Sequence, residues 1–311
     1  MKEYVILADI TCDLCQEIRQ EIGMEDYITG HIHFEDGRDF STTLDWEPIS
    51  REAFYKALSD KKCKITTAPP NIEEYCAAFE KYIQKGMAII SMTLSSKISS
   101  TYSCSCVAAD RIREKYPEAE ITCVDSYRMS GAFGLLVVYA HLLKQEGKSY
   151  EEVVAWLEEN KYRVHQMGPI DDLIFVARRG RLTMGKAIMG SFAGVKPMGD
   201  CNSDGYTTVL TKVKGMSRAL DTTVQYVKET ATGIENQVIL VAHSDREMYA
   251  NTLKEKLERE LSPKRVLLTD VFCGCGANIG PGMVGVYYLG DKVTEDMTVE
   301  KAVMNRITGK K

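Results

Sequence analysis

Short apolar runs alternate with segments of helical spacing through the first half of this chain, and no other feature restricts its fold as much. Residues 4–8 form an apolar run closed by Asp9 and Thr11, and residues 13–22 then place apolar side chains at helical intervals. Asn71, with Glu74 three residues further on, has the form of a capping box opening a helix that reaches about Gln84, where Gly86 breaks it. Residues 87–94 read as a buried strand, 99–115 as a helix, 120–125 as a strand and 131–146 as a helix. Ser149 and Glu152 form a second candidate capping box, for a helix ending near Asn160. Strands joined by helices of this length run parallel, because a crossover connection is what a parallel pair requires.

After about Arg163 the pattern changes. Residues 195–198 and 206–214 look like a strand pair joined by the turn-forming cluster Asp200-Cys201-Asn202-Ser203-Asp204-Gly205. A helix is expected over 217–231, a strand over 237–243, a helix over 246–261 and strands over 265–270 and 283–289. The chain has 311 residues, and domains commonly hold about 150. The expected architecture is therefore two α/β domains, 1–163 with a largely parallel sheet and 164–311 with a mixed one.

Composition narrows the function. The apolar share is 44% and the charged share 27%, which suits packed domains and leaves no room for a long disordered tail. The net charge of -5 and the lack of clustered Lys and Arg exclude a nucleic-acid surface, since Arg178-Arg179-Gly180-Arg181 is too short to neutralise a phosphate backbone. The apolar segment before Asp9 is too short for a signal-peptide core or a membrane span, so a cytoplasmic protein with reduced thiols is expected.

Two hydroxyl clusters draw attention. Thr66-Thr67-Ala68-Pro69-Pro70 precedes a capped helix, and Ser95-Ser96-Lys97-Ile98-Ser99-Ser100-Thr101 follows a buried strand. Both belong at the carboxyl ends of strands or on adjoining loops, where open α/β sheets bind ligands. Hydroxyls and free N–H groups at a helix start hold a carboxylate or phosphate without a formal positive charge; the plainer role for the same residues is to cap helices and fill turns. The glycines of Gly274-Cys275-Gly276-Ala277-Asn278-Ile279-Gly280-Pro281-Gly282 allow close backbone approach to a ligand, or make an ordinary tight turn. They are not a dinucleotide fingerprint, because Gly280-Pro281-Gly282 leads into a strand.

The ten cysteines offer a rival reading. Cys12-Asp13-Leu14-Cys15 is a C-x-x-C where a first strand meets a first helix, the place of a thioredoxin-type redox pair. The same reading extends to a metal-binding protein in which Cys104 with Cys106, and Cys273 with Cys275, add ligands; these pairs lack zinc-knuckle spacing and interleaved histidines, and buried structural thiols are the plainer account of all of them. None of the five histidines has a nucleophile or metal-ligand spacing around it, and Asp9, Asp13 and Asp125 serve equally as acid/base groups or as N-caps.

Read in order, the segments resemble the DegV family, which includes the fatty-acid-binding subunits of bacterial fatty acid kinase. The matching pieces are Leu7-Ala8-Asp9-Ile10-Thr11-Cys12-Asp13-Leu14, Thr66-Thr67-Ala68-Pro69, Ser95 through Tyr102, Val124-Asp125-Ser126, Arg179-Gly180-Arg181-Leu182, Val195-Lys196-Pro197 and Gly276 through Gly282. The specificity lies in the series rather than in any one piece.

The resemblance implies a carrier, not an enzyme, that encloses one long-chain fatty acid in a tunnel between the two domains and uses no other cofactor or metal. It implies that Thr66 and Ser95 or Ser96 hold the carboxylate, with Asn278 facing them and Gly280 shaping the turn beside it. It implies further that a separate ATP-dependent kinase subunit phosphorylates the bound carboxylate, and that the acyl phosphate is delivered toward phospholipid synthesis, with transient membrane or acyltransferase contact. The chain departs from the family pattern at Ser100, Ala68 and Cys15, where Gly, a polar residue and Pro are usual, and at Asn278, where His is frequent. An amide bonds a carboxyl group but takes up no proton.

Overall fold

The computed structural model describes residues 2–60, 64–180 and 194–309. Arg181 and Leu182 of the family series lie outside the described residues. The first half runs β1 (Tyr4–Asp9), α1 (Gln16–Glu21), β2 (Tyr27–Ile28), β3 (His31–Phe34), β4 (Asp39–Ser41), α2 (Arg51–Ser59), β5 (Ile65–Ala68), α3 (Ile72–Ile83), β6 (Ala88–Thr93), α4 (Thr101–Lys115), β7 (Ile121–Asp125), α5 (Ser130–Gln145) and α6 (Tyr150–Asn160). The second runs β8 (Val164–Met167), α7 (Leu173–Arg178), β9 (Val195–Cys201), β10 (Thr207–Lys214), α8 (Met216–Thr230), β11 (Val238–His243), α9 (Glu247–Leu261), β12 (Arg265–Asp270), α10 (Cys273–Ile279), β13 (Val284–Leu289) and α11 (Thr298–Thr308).

The principal sheet of the first half has the order β2-β1-β6-β7 with every pair parallel. Every residue of β6 is buried, as a parallel strand covered by helices on both faces must be. The corresponding sheet of the second half, β12-β11-β13-β8, is mixed: β11 and β12 are parallel, whereas β13 is antiparallel to both β11 and β8. Two smaller antiparallel sheets, β4-β3-β5 and β10-β9, complete the fold. The α/β class, with one parallel and one mixed sheet, is as the sequence implied.

Both capping boxes are present: the side chains of Asn71 and Ser149 accept from the backbone N–H of Glu74 and Glu152, whose carboxylates accept in return from the cap residues' own N–H. The helix expected from residue 13 starts later, at Gln16, because Asp13 takes a left-handed conformation (φ 52°) that closes a 3-10 turn over Ile10–Cys12. Asp200 and Cys201 belong to β9 rather than to the turn. The Asp200 carboxylate accepts from the N–H groups of Gln166 and Cys201 and from the Tyr226 hydroxyl, and contacts His165 Nδ1 at 2.6 Å, and these partners hold it inside the sheet region.

The largest apolar cluster draws on both halves, joining Ile6, Ala8 and Met92 to Leu240, Ala242 and Tyr287. Helix α5 runs through it, in contact with β1, β8, β11 and β13, and is buried around most of its circumference, as a helix between two layers should be. Its approach to the backbone beyond β1 needs glycine: a Cβ on Gly134 would stand 2.3 Å from the carbonyl oxygen of Cys12.

Candidate functional site

The carboxyl ends of the parallel strands and the inner face of the mixed sheet face one cavity. From the first half, Asp9, Ile10 and Thr11 line it after β1, Leu94, Ile98 and Ser99 after β6, and Thr101 at the start of α4. Thr67, Ala68, Pro69 and Pro70 form the wall at the end of β5, with Gly30 and His31 beside them. From the second half come Gln166 and Met167 of β8, Asn278 and Ile279 of α10, and Met283, Val284 and Tyr287 in and before β13. Most of this surface is apolar, and its polar groups are hydroxyls, amides and a few titratable side chains; no Lys or Arg is among the described lining residues.

The polar end is assembled across the two halves. Asn278 Nδ2 donates to Thr67 Oγ1 at 3.1 Å and to the Gly274 carbonyl at 3.4 Å. Because the amide supplies the proton in its contact with Thr67, the threonine's own O–H remains available to an acceptor in the cavity. Ser99 Oγ and Thr101 Oγ1 stand 2.8 Å apart on the next loop, and Gln166 Nε2 donates to Thr207 Oγ1 at 2.8 Å on the opposite wall.

Two buried carboxyl groups organise the junction. Asp9 accepts from the N–H of Thr11 at 2.8 Å and of Leu94 at 2.9 Å, tying the ends of β1 and β6 together. Burial pushes its carboxyl up to about 6 despite those hydrogen bonds. Asp13 accepts from Ser130 Oγ at 2.6 Å and from the Phe272 N–H at 2.9 Å, so a single side chain joins the starts of α5 and α10. Burial pushes it to about 8.

Of the residues assigned to the carboxylate site from sequence, Asn278 lines the cavity, and Thr66, Ser95, Ser96 and Gly280 stand elsewhere. Thr66 is exposed and pairs with His33 on the outer face of β5, whereas Thr67 faces inward. Strand alternation gives the reason and was the available signal: buried Ile65 fixes the inward face, and the residue two positions on shares it. Ser95 is buried but turned aside, its hydroxyl accepting from the Lys97 N–H at 3.2 Å and reaching the Asp204 carbonyl of the β9–β10 hairpin at 3.5 Å. Ser96 is exposed, with its backbone N–H donating to Asp125. Ser99 and Thr101, from the same segment, are the hydroxyls at the cavity. Gly280 lies at the end of α10 with φ 76°, where a Cβ would meet the Phe175 ring at 2.6 Å, so its part is to turn the chain. The segment expected to be a plain glycine turn is helical over Cys273–Ile279 and turns only afterwards.

The DegV family profile matches residues 3–291. A DegV domain-containing protein of Clostridium perfringens is 32% identical over 291 residues, 94% of this chain and 99% of the relative. The chain belongs to the DegV family. Solved DegV structures share the fold of this DegV chain at lower identity. A fatty-acid-binding DegV protein of Thermus thermophilus has a TM-score of 0.82 at 22% identity, covering 93% of this chain and all (100%) of that one. The Streptococcus pneumoniae fatty acid kinase B3 protein, loaded with linoleic acid, has a TM-score of 0.79 at 18% identity, with 94% and 100% covered. The cysteines of this DegV protein are poorly placed for redox chemistry: Cys12 is fully buried, and desolvation pushes both the Cys12 and Cys15 thiols up, away from the thiolate that attack requires.

Proposed function

We propose that this protein is a carrier that encloses one long-chain fatty acid, its tail against the apolar walls and its carboxylate at Thr67, Asn278, Ser99 and Thr101. The observation that supports this most is an apolar cavity whose hydroxyl and amide groups converge from both halves without a Lys or Arg among the described lining residues. Residues 1–163 and 164–311 then act as two jaws closing on one ligand. Burying about fifteen methylenes at roughly 0.8 kcal/mol each contributes on the order of 12 kcal/mol before ordering costs, whereas each neutral hydrogen bond to the head nets about 1 kcal/mol. The tail supplies affinity and the polar end fixes orientation.

The bound carboxylate is the group a partner ATP-dependent kinase would phosphorylate: a carboxylate oxygen attacks the γ-phosphorus, ADP leaves, and an acyl phosphate remains on the carrier. The chain contributes binding and orientation to that step, and the cytoplasm is where the ATP would be supplied. Among the described residues no helix is long and apolar enough to cross a membrane.

Mass spectrometry of the organic extract from purified, denatured protein, beside an intact native mass, tests the carrier reading. A stoichiometric fatty acid supports it. A protein that is empty and takes up no added fatty acid overturns it.

A further inference from the structure

A wall that only has to hold a methylene chain has no use for an amide carbonyl, because a carbonyl facing methylenes gives up its hydrogen bond to water and receives none in return. Gln166 presents such a group. It lines the cavity on β8, in company with Ile170, Met283 and Tyr287. The pleat fixes its facing: Gln166 stands directly across from Tyr287 of β13, and both Tyr287 and Val164, two residues back along β8, belong to the core between the halves. His165, next in the strand, points the other way, stacked on Tyr288 and in contact with Asp200.

The residue is anchored at both ends. Its backbone N–H donates to Asp200 Oδ1 at 2.8 Å, and its Nε2 donates to Thr207 Oγ1 of β10, also at 2.8 Å. Asp200 and Thr207 are both buried, so the anchors lie inside the fold. Gln166 itself is half-buried, and with Nε2 turned to Thr207 the carbonyl Oε1 has no partner among the described residues. That oxygen accepts hydrogen bonds and donates none, and a saturated tail offers it no donor.

We infer that Gln166, held by Thr207, is a subsite for a hydroxyl group carried on the acyl chain, so that the protein prefers a hydroxylated long-chain fatty acid to the plain one. The inference rests on the fatty-acid reading and narrows the ligand class of the same cavity. The chain hydroxyl donates to Gln166 Oε1, which no methylene, double bond or ketone can do. The subsite is separate from the head-group end: β8 and β10 supply it, whereas Thr67, Ser99, Thr101 and Asn278 come from β5, the start of α4 and α10. An acceptor oxygen also repels a carboxylate, and this sets which end of the ligand faces which wall.

The test measures, by calorimetry on the full-length delipidated protein, the binding of octadecanoic acid, of a series of monohydroxyoctadecanoic acids with the hydroxyl moved along the chain, and of the matching oxo acids. An oxo acid is nearly the same size as its hydroxy counterpart but has no hydrogen to donate. At one position the hydroxy acid should bind about 5-fold tighter than octadecanoic acid, the effect of one neutral hydrogen bond, and its oxo counterpart should lack that advantage. Gln166→Leu should abolish the preference while holding octadecanoic acid at least as tightly, and Thr207→Val, which releases the amide, should reduce it. The comparison of hydroxy with oxo acid needs no substitution and so decides the matter even where a variant fails to fold. A series with no favoured position, the result of a wall amide served by water, overturns the inference and leaves the carrier reading standing. So does an advantage shared by the oxo acid, a preference that survives Gln166→Leu, or an equal loss for every acid in that variant. Failure of the unsubstituted protein to bind any of the acids overturns the carrier reading itself.

Discussion

Replacing Asp13 by asparagine should make the protein's stability less dependent on pH and, above about pH 5, should stabilise it. The Asp13 carboxyl is fully buried and pushed from 3.8 to about 8, chiefly by loss of water and against the hydrogen bonds from Ser130 and Phe272. Below about pH 4 folded and unfolded chains both hold this proton, so the group contributes no difference. As pH rises the unfolded chain releases its proton first while the folded chain keeps it, and the folded state loses about 1.4 kcal/mol per pH unit until the folded carboxyl also ionises. Over the interval from about 4 to about 8 the loss is on the order of 5 kcal/mol. Asparagine is neutral throughout and fits the same partners: its Oδ1 accepts the Phe272 N–H, and its amide donates to a reoriented Ser130 hydroxyl. Urea unfolding followed by fluorescence of the two tryptophans, run on both proteins at half-unit steps from pH 5 to 8, isolates the term as the difference between them, since His165 and His141 titrate in both. A difference that stays constant across those pH values would show that Asp13 is ionised in the folded protein and refute the reasoning.

Thr67→Val should weaken fatty-acid binding and disorder the head group, while Thr66→Val, on the exposed face of the same strand, should leave binding unchanged; calorimetric titration with oleic acid checks the pair. Gly134→Ala, which would put a methyl group 2.3 Å from the Cys12 carbonyl oxygen, should cost about 1–3 kcal/mol or more, seen as a lower melting temperature with unchanged secondary structure. Cys12 should resist iodoacetamide at pH 7 in the native protein and react on unfolding, because burial holds it as the neutral thiol; rapid native alkylation at Cys12 would revive the redox reading.

Much of the frame was legible because it depends on local pattern. The apolar run of β6 is buried along its whole length, and the Asn-x-x-Glu and Ser-x-x-Glu boxes start α3 and α6, since a cap is satisfied by neighbours within one turn. Elements with weaker local signals went unread. β8 is four residues with a histidine and a glutamine inside it, and its strand state comes from pairing with β13. β3 and β5 pair across residues 35–64, a separation that periodicity does not register. α10 carries two glycines, a poor helix by propensity, yet Gly276 packs against Phe54 and Tyr55, where a Cβ would crowd both rings.

The candidate site divides along the same line. Residue order alone was enough to indicate an α/β chain with a parallel and a mixed sheet, to bring the family into view through a series of short segments, and to mark two hydroxyl loops and Asn278 as its polar end. Which hydroxyl of each loop faces the cavity was decided only in three dimensions. The pleat turns Thr67 inward and Thr66 out, and the contacts of the β9–β10 hairpin engage Ser95 and leave Ser99 and Thr101 at the wall. Asp13 and Phe272 are 259 residues apart and meet only when the two halves pack together. Local sequence specifies which backbone shapes are favourable, but the facing of a side chain and its distant partners follow from packing two halves of the chain around a shared core.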